Sequence, residues 1–352
     1  MHTFVFPAMF VLACAALPLP ASAALAATAG AALGAPPLSG PYAVGRAQWQ
    51  WTDRGAHHAL VLYPAAGTSS TLTNPSGTTP PAQLTARYGA AGVAQLAALQ
   101  VRSVPGLAPA SVAGPRPVLV FASGAHQKAG DYTVLLEQIA SRGYVVVALD
   151  APAAGEPYAS TADEIASALR EVDRQRANGP WADRLDEPAG AFGHSIGGAG
   201  AVLALARNPR LRAAFNLDGD FTGAAESARP VKPVAVLQTE APPRSWLGAL
   251  AERRSEQRRA DIWKQVRSAA RETILLSARG LRHANFLDAA LIAPSAMDAK
   301  QRAERFGTMD GTRGLLMTAD VVTSWFDAAL GKGQPVAALR ASAARYPELS
   351  LQ

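Results

Sequence analysis

Gly193-His194-Ser195-Ile196-Gly197-Gly198 sets a serine between glycines, after a short apolar run, Ala189-Gly190-Ala191-Phe192, and before a helix-forming run, Ala199 to Arg207. In a G-x-S-x-G turn of this kind the small flanking residues let strand and helix approach closely. The bent backbone then exposes the serine hydroxyl and aims the next amide at a developing oxyanion. With 30 glycines in the chain the letters alone could arise by chance. Their place between strand and helix signals makes Ser195 a candidate nucleophile.

A serine hydroxyl is a poor nucleophile at neutral pH unless an imidazole takes its proton and a carboxylate orients that imidazole. The chain has six histidines. His2 falls in the N-terminal apolar segment, His57 and His58 in an expected hairpin, and His194 inside the turn itself. His283, in Arg279-Gly280-Leu281-Arg282-His283-Ala284-Asn285-Phe286, follows the last expected strand of the sheet and is the candidate base. His126, in Ser123-Gly124-Ala125-His126, follows an earlier strand, either lining a pocket or capping a turn. Its loop is suited to supplying backbone donors, so the oxyanion hole is assigned to the Ala125 and Ile196 N–H groups.

For the acid, the order Ser, Asp, His points to Asn216-Leu217-Asp218-Gly219-Asp220. Asp218, nearer the strand, is the candidate, with Asp220 as a solvated turn residue. Asp150 precedes Ser195 and suits a turn or capping role.

The elements that must position these groups follow a regular pattern from Pro117 on. Val118 to Phe121 reads as a buried strand, Tyr132 to Arg142 as a helix capped by Asp131, and Tyr144 to Leu149 as another strand. Thr161 to Arg176 is a helix opened by Ser160 and Asp163. Apolar strands are expected at 213–217, 234–237 and 273–276, and a final helix at 319–330. Short continuous apolar strands alternating with helices imply an α/β fold with a mainly parallel central sheet and helices on both faces. Before it, 47–64 reads as a hairpin around Asp53-Arg54-Gly55, and 65–116 as a Thr/Ser/Pro-rich crossing around one helix, 90–101.

At 352 residues and 49% hydrophobic content the chain can bury one large core. Residues 1–23 read as an export signal: an uncharged apolar run from Phe4 to Leu19 precedes small residues at 21 and 23. Cys14, the only cysteine, ends a Val-Leu-Ala-Cys string that leaves a lipid anchor open. Pro18 and Pro20 cut the run short of the ~20 residues a membrane span needs. Residues 24–40 read as an Ala/Gly/Pro-rich linker and 41–352 as the catalytic domain, exported to the periplasm or beyond. The net charge of +6 is dispersed among acids, which argues against a nucleic-acid partner. No histidine spacing suggests a metal site, and no cofactor is expected.

Taken together, Pro117 to Gly124, Ser141-Arg142-Gly143-Tyr144-Val145-Val146-Val147, the Ser195 turn, Asn216-Leu217-Asp218-Gly219 and His283-Ala284-Asn285-Phe286 resemble the plasma-type platelet-activating factor acetylhydrolase family of α/β-hydrolases. The succession is also similar to cutinase-like polyester hydrolases. The resemblance covers roughly 42–330. It implies hydrolysis of small-molecule, lipid or polymer carboxylic esters through an acyl-enzyme, with Ser195, Asp218 and His283 as the triad and Ala125 and Ile196 as hole donors. Where the family commonly has His-Gly, this chain has Ser123-Gly124. Alternatives are an acyltransferase with the same triad, a peptidase, and a non-catalytic exported binding protein of the same fold. The connection 240–271, with Trp246, Leu247, Leu250 and Trp263, is either a cap over the pocket or a crossover helix packed on the sheet. Trp181 and Tyr158 are candidate acyl-pocket residues.

Overall fold

The apolar runs form strands because both of their faces are covered. The computed structural model describes residues 33–68, 71–111, 114–178, 181–240, 246–331 and 333–351, with the side chains of 188, 189, 246–256 and 259 excepted. Residues 1–23, where an export signal is expected, and Cys14 with them, lie outside the described residues.

A hairpin comes first, β1 (Ala43–Thr52) and β2 (Ala56–Ala65), then α1 (Pro81–Ala97) and the short β3 (Val104–Pro105). The alternating part follows as β4 (Arg116–Ala122), α2 (Thr133–Ser141), β5 (Val145–Leu149), α3 (Pro157–Asn178), β6 (Leu185–His194), α4 (Ile196–Arg207), β7 (Ala213–Leu217), β8 (Val234–Thr239), α5 (Trp246–Ala269) and β9 (Thr273–Ala278). Then come α6 (Ala299–Phe306), α7 (Gly311–Leu330), α8 (Pro335–Ala343) and β10 (Leu349–Leu351).

Among the described residues these strands form one sheet in the order β10-β9-β8-β7-β6-β4-β5-β2-β1-β3. β4 to β9 run parallel, while β2 and β10 join its two sides antiparallel. Alternation along β4 divides the core: Val118 and Val120 belong to one buried cluster with α3 and α4, Leu119 and Phe121 to another with α2 and α7. β4 lies between β5 and β6, so the growth of the sheet reverses there. The carboxyl ends of β4 and β6 therefore flank the crevice where ligands of such sheets bind.

Several local expectations are corrected by contacts between distant segments. The helix expected over 90–101 is the second part of α1: Gly89, at φ 68° and ψ 169°, kinks the element, a first part opens at Pro81, whose fixed φ suits a first turn, and the second ends by Ala97. Asp131 does not cap α2. Its carboxylate takes the Thr79 and Lys128 N–H groups, and Asp288 accepts from the Thr133 and Val134 N–H groups at that helix start. α3 likewise opens before Ser160, with Glu156 accepting from Ala159 N–H at 2.6 Å. Residues 33–40 of the Ala/Gly/Pro-rich stretch lie against the body: Ala35 N–H donates to Gln100 O, and the Gln138 amide exchanges bonds with Pro37 and Ser39.

Glu137 on α2 is fully buried and accepts the Arg102 and Ser103 N–H groups through Oε2. Burial, only partly offset by those bonds, pushes its pKa up to about 8. An acid whose folded pKa is raised stabilises the fold most below its unfolded value. That contribution is lost as pH rises from about 4.5 towards about 8. Glu137→Gln keeps an acceptor and removes the titration. Relative to wild type, the variant is therefore expected to gain stability between pH 5 and pH 8, as measured by urea midpoints at each pH. An unchanged difference would place the ionisation elsewhere.

Candidate active site

The serine turn is built by close backbone approach. Ser195 has φ 58° and ψ −125°, just before the start of α4, and its N–H donates to Leu217 O at 2.9 Å. A Cβ at Gly197 would stand 2.1 Å from Ala122 O, and one at Gly193 would meet Gly197 at 2.5 Å, so only glycine fits either place. Ala122 pairs with Gly193 and Gly193 with Asn216, so the loops after β4, β6 and β7 leave the sheet side by side. Ser195 is partly exposed at that edge.

Asp218 and His283 are brought together. His283 Nδ1 lies 2.7 Å from Asp218 Oδ2, an ion-pair geometry whose carboxylate side chain is 17% exposed and whose imidazole is 54% exposed. Thr239 fixes the same carboxylate twice, through its N–H to Oδ1 at 2.8 Å and its hydroxyl to Oδ2 at 2.6 Å. Buried Asn216 clamps the turn beneath, donating to Gly219 O and accepting Gly219 N–H, which accommodates the positive φ of Asp218. The His283 ring is next to that of His194, with centroids 4.4 Å apart. Among the described residues no hydrogen bond joins the Ser195 hydroxyl to His283; such bonds are often long before substrate is bound.

Ala125 and His126 form the corner of a turn closed by Gln127 N–H to Gly124 O at 3.0 Å. Both are exposed, and His126 has φ 60°, so it shapes the turn. Ser123 is buried and tied through N–H and hydroxyl to Leu149 O. Asp150 holds the far side of the loop: it accepts Ala129 N–H, the Lys128 ammonium and the His58 ring, each at 2.8 Å. The Ile196 N–H is among the first four donors of α4, which have no acceptor within their helix. A Cβ on Gly124 would be 3.3 Å from Ser195 Cβ, so the Ala125 loop and the serine turn touch.

The model of the PETase family, described as PET hydrolase-like, matches residues 107–222, a stretch that contains Ala125, Ser195, Ile196 and Asp218. A solved ferulic acid esterase from Streptomyces cinnamoneus superposes with a TM-score of 0.68 at 24% identity, over 92% of this chain and 100% of that one. The fold is that of an α/β-hydrolase. The resemblance to polyester hydrolases read from the strand, turn and loop motifs is matched by these findings. No curated protein matches the chain.

Other expected residues go elsewhere. Trp181 is buried against Trp49 and Tyr63, beside Arg116 and Val145 at the amino ends of their strands, and so belongs to the core at the opposite edge of the sheet. Tyr158 does reach the site edge, its hydroxyl 2.5 Å from that of Thr222. In the 240–271 connection, Ile262 and Val266 of α5 are buried and Trp263 stacks on Phe221, which is the packing of a crossover helix. Trp246, Leu247 and Leu250 lie outside the described side chains. Among the described residues no group of His, Cys, Asp or Glu is arranged to hold a metal ion. Sequence reasoning passed over Asn216, Thr239 and Tyr132. The first two are short polar residues at strand ends, with no signature apart from that position.

Asp218 holds the imidazole whereas Asp220 is an exposed turn residue. Asp218→Asn is expected to lower kcat for a short-chain ester about 10⁴-fold. Asp220→Asn should change it by less than about threefold, surface substitutions being mild. The reverse ranking in steady-state kinetics would move the acid to 220.

Proposed function

We propose that this chain is a serine hydrolase of carboxylic esters working through an acyl-enzyme. The observation that carries the reading is the Asp218–His283 pair, hung from the ends of β7 and β9 beside the strained Ser195 turn. With its Nδ1 hydrogen given to Asp218, the His283 ring keeps an unprotonated Nε2 as base. That nitrogen takes the Ser195 proton as Oγ bonds to the ester carbonyl carbon. The carbonyl oxygen becomes an oxyanion received by the Ala125 and Ile196 N–H groups. Collapse breaks the bond to the alcohol, which leaves with the proton from Nε2. Water then repeats the sequence on the acyl-enzyme, with His283 as base, and releases the acid and free Ser195. Every atom transferred comes from ester, water and these side chains.

The similarity to a PET hydrolase-like family and to a ferulic acid esterase supports an ester as substrate. The finer likeness to plasma-type platelet-activating factor acetylhydrolases rests on sequence motifs alone, as does export through residues 1–23 with or without a lipid at Cys14. Among the described residues no helix is long and apolar enough to cross a membrane.

Purified protein is expected to hydrolyse p-nitrophenyl acetate and to be labelled by a fluorophosphonate at Ser195. Ser195→Ala and His283→Ala should each lose about 10³-fold or more in kcat with the melting temperature preserved. Near-normal turnover in either variant would refute the assignment. Predominance of a transferred ester over free acid when an alcohol is added would make the enzyme an acyltransferase.

A further inference from the structure

Ala125 and Ser195 come from different loops, and a single hydroxyl joins the residues that precede them. Tyr132, fully buried just before α2, lies with its oxygen 3.0 Å from Gly124 N and 2.8 Å from His194 Nδ1. A phenol has one hydrogen to give. Gly124 N–H donates to the oxygen, so the phenolic hydrogen goes to Nδ1, and the bonds run in one direction from Gly124 through Tyr132 to His194. We propose that Tyr132, acting through His194, is a positioning residue that sets the spacing between the Ala125 and Ile196 donors and steadies the His283 ring. This deepens the ester-hydrolase reading and rests on it.

Three observations support the assignment. First, the chain of bonds requires a His194 with unprotonated Nδ1, and burial drives the pKa of this ring well below the ordinary histidine range. The charge that His283 can carry works in the same direction, and the His283 main chain works against it. Nε2, where the remaining hydrogen then resides, does not reach hydrogen-bond geometry with that main chain. Second, the groups converge with no room to spare. A Cβ added at Gly124 would lie 2.9 Å from His194 Nδ1, 3.1 Å from the Tyr132 oxygen and 3.3 Å from Ser195 Cβ. Third, the His194 ring contacts the base loop directly, 4.4 Å from the His283 ring and 5.2 Å from that of Phe286. Tyr132 itself is held edge-on by Phe121 at 4.8 Å.

Tyr132 and His194 are both buried and the Tyr132 hydroxyl is taken up by Gly124 and His194, so losing the tie should not alter ground-state binding. It should loosen donors that are needed most when charge has developed on the carbonyl oxygen, which lowers kcat and spares KM. A generic buried hydroxyl would behave differently. Tyr63 supplies the comparison: it too is a buried tyrosine, with its hydroxyl on Leu107 O at 2.8 Å, but at the other edge of the sheet.

With p-nitrophenyl acetate, Tyr132→Phe is expected to lower kcat roughly ten- to a hundredfold, the scale of a small misplacement of reacting groups, with KM within about twofold. Tyr63→Phe should leave kcat within about twofold. Equal losses in the two variants, or a normal kcat in Tyr132→Phe, would overturn the proposal. If Tyr132→Phe does not fold, the comparison passes to position 194. There His194→Asn keeps an acceptor and should retain about tenfold more kcat than His194→Leu, and equality would again overturn the proposal. A readout free of catalysis separates this idea from the ester-hydrolase reading: the Gly124 amide should exchange its hydrogen slowly in wild type and much faster in Tyr132→Phe. Wild type with the slow amide but no ester turnover would sink the activity and leave the tie standing. A fast amide in wild type would sink the tie.

Discussion

Ser195 is held in a backbone conformation that costs of the order of 1–3 kcal/mol for a residue with a side chain, and the rest of the site depends on that constraint. The strain persists because backbone groups over-determine it. Ser195 N–H is bound to Leu217 O, its carbonyl accepts from Gly198 and Ala199, and Gly197 presses on Ala122. These contacts tie the serine to β4 and β7, the same strands whose following loops carry Ala125 and Asp218, the proposed hole donor and acid. Alignment of the three strand ends is therefore a single packing problem, solved by small residues at Gly193, Gly197 and Gly198.

Several polar groups under this edge are satisfied by side chains, from distant segments for α2 and Asp218 and from within the turn for Gly219. Asp288 supplies the start of α2, Asn216 closes the Asp218 turn, and Thr239 fills the free acceptor sites of Asp218. Burial makes such groups expensive to leave unmatched, so each behaves as a positioning device as well as a stabilising one. His194 shows the same economy, since one ring reaches the 123–127 loop through Tyr132 and the loop after β9 through His283.

The strands were legible because their demands are local. Val118 to Phe121 is apolar on both faces, as is Ala213 to Leu217 apart from Asn216, which only a covered strand or buried helix allows, and their flanking turns exclude a long helix. Asp218 and His283, the candidate acid and base, were picked out by chain order and by their places just after strands, and the structure brings the two side chains together. Helix starts were read less well. Asp131 stands where a cap should be, yet the cap comes from Asp288, more than 150 residues away, because no local pattern encodes a carboxylate arriving from another loop. Trp181 failed as a pocket residue for the same reason: an aromatic in a loop reads alike at either end of a sheet.

By itself the sequence determined the alternation of strand and helix and the serine turn, and it singled out Asp218 and His283 as candidates, because periodicity, glycine placement and residue chemistry act over a few positions. Tertiary structure alone decided that Asp218 meets His283 and that Thr239 and Asn216 hold the acid. It also decided that Tyr132 joins Gly124, beside Ala125, to His194, which precedes Ser195. Those contacts join residues from 3 to 65 positions apart in the chain, and a hydrogen bond is specified by distance and direction in space, which chain order does not contain.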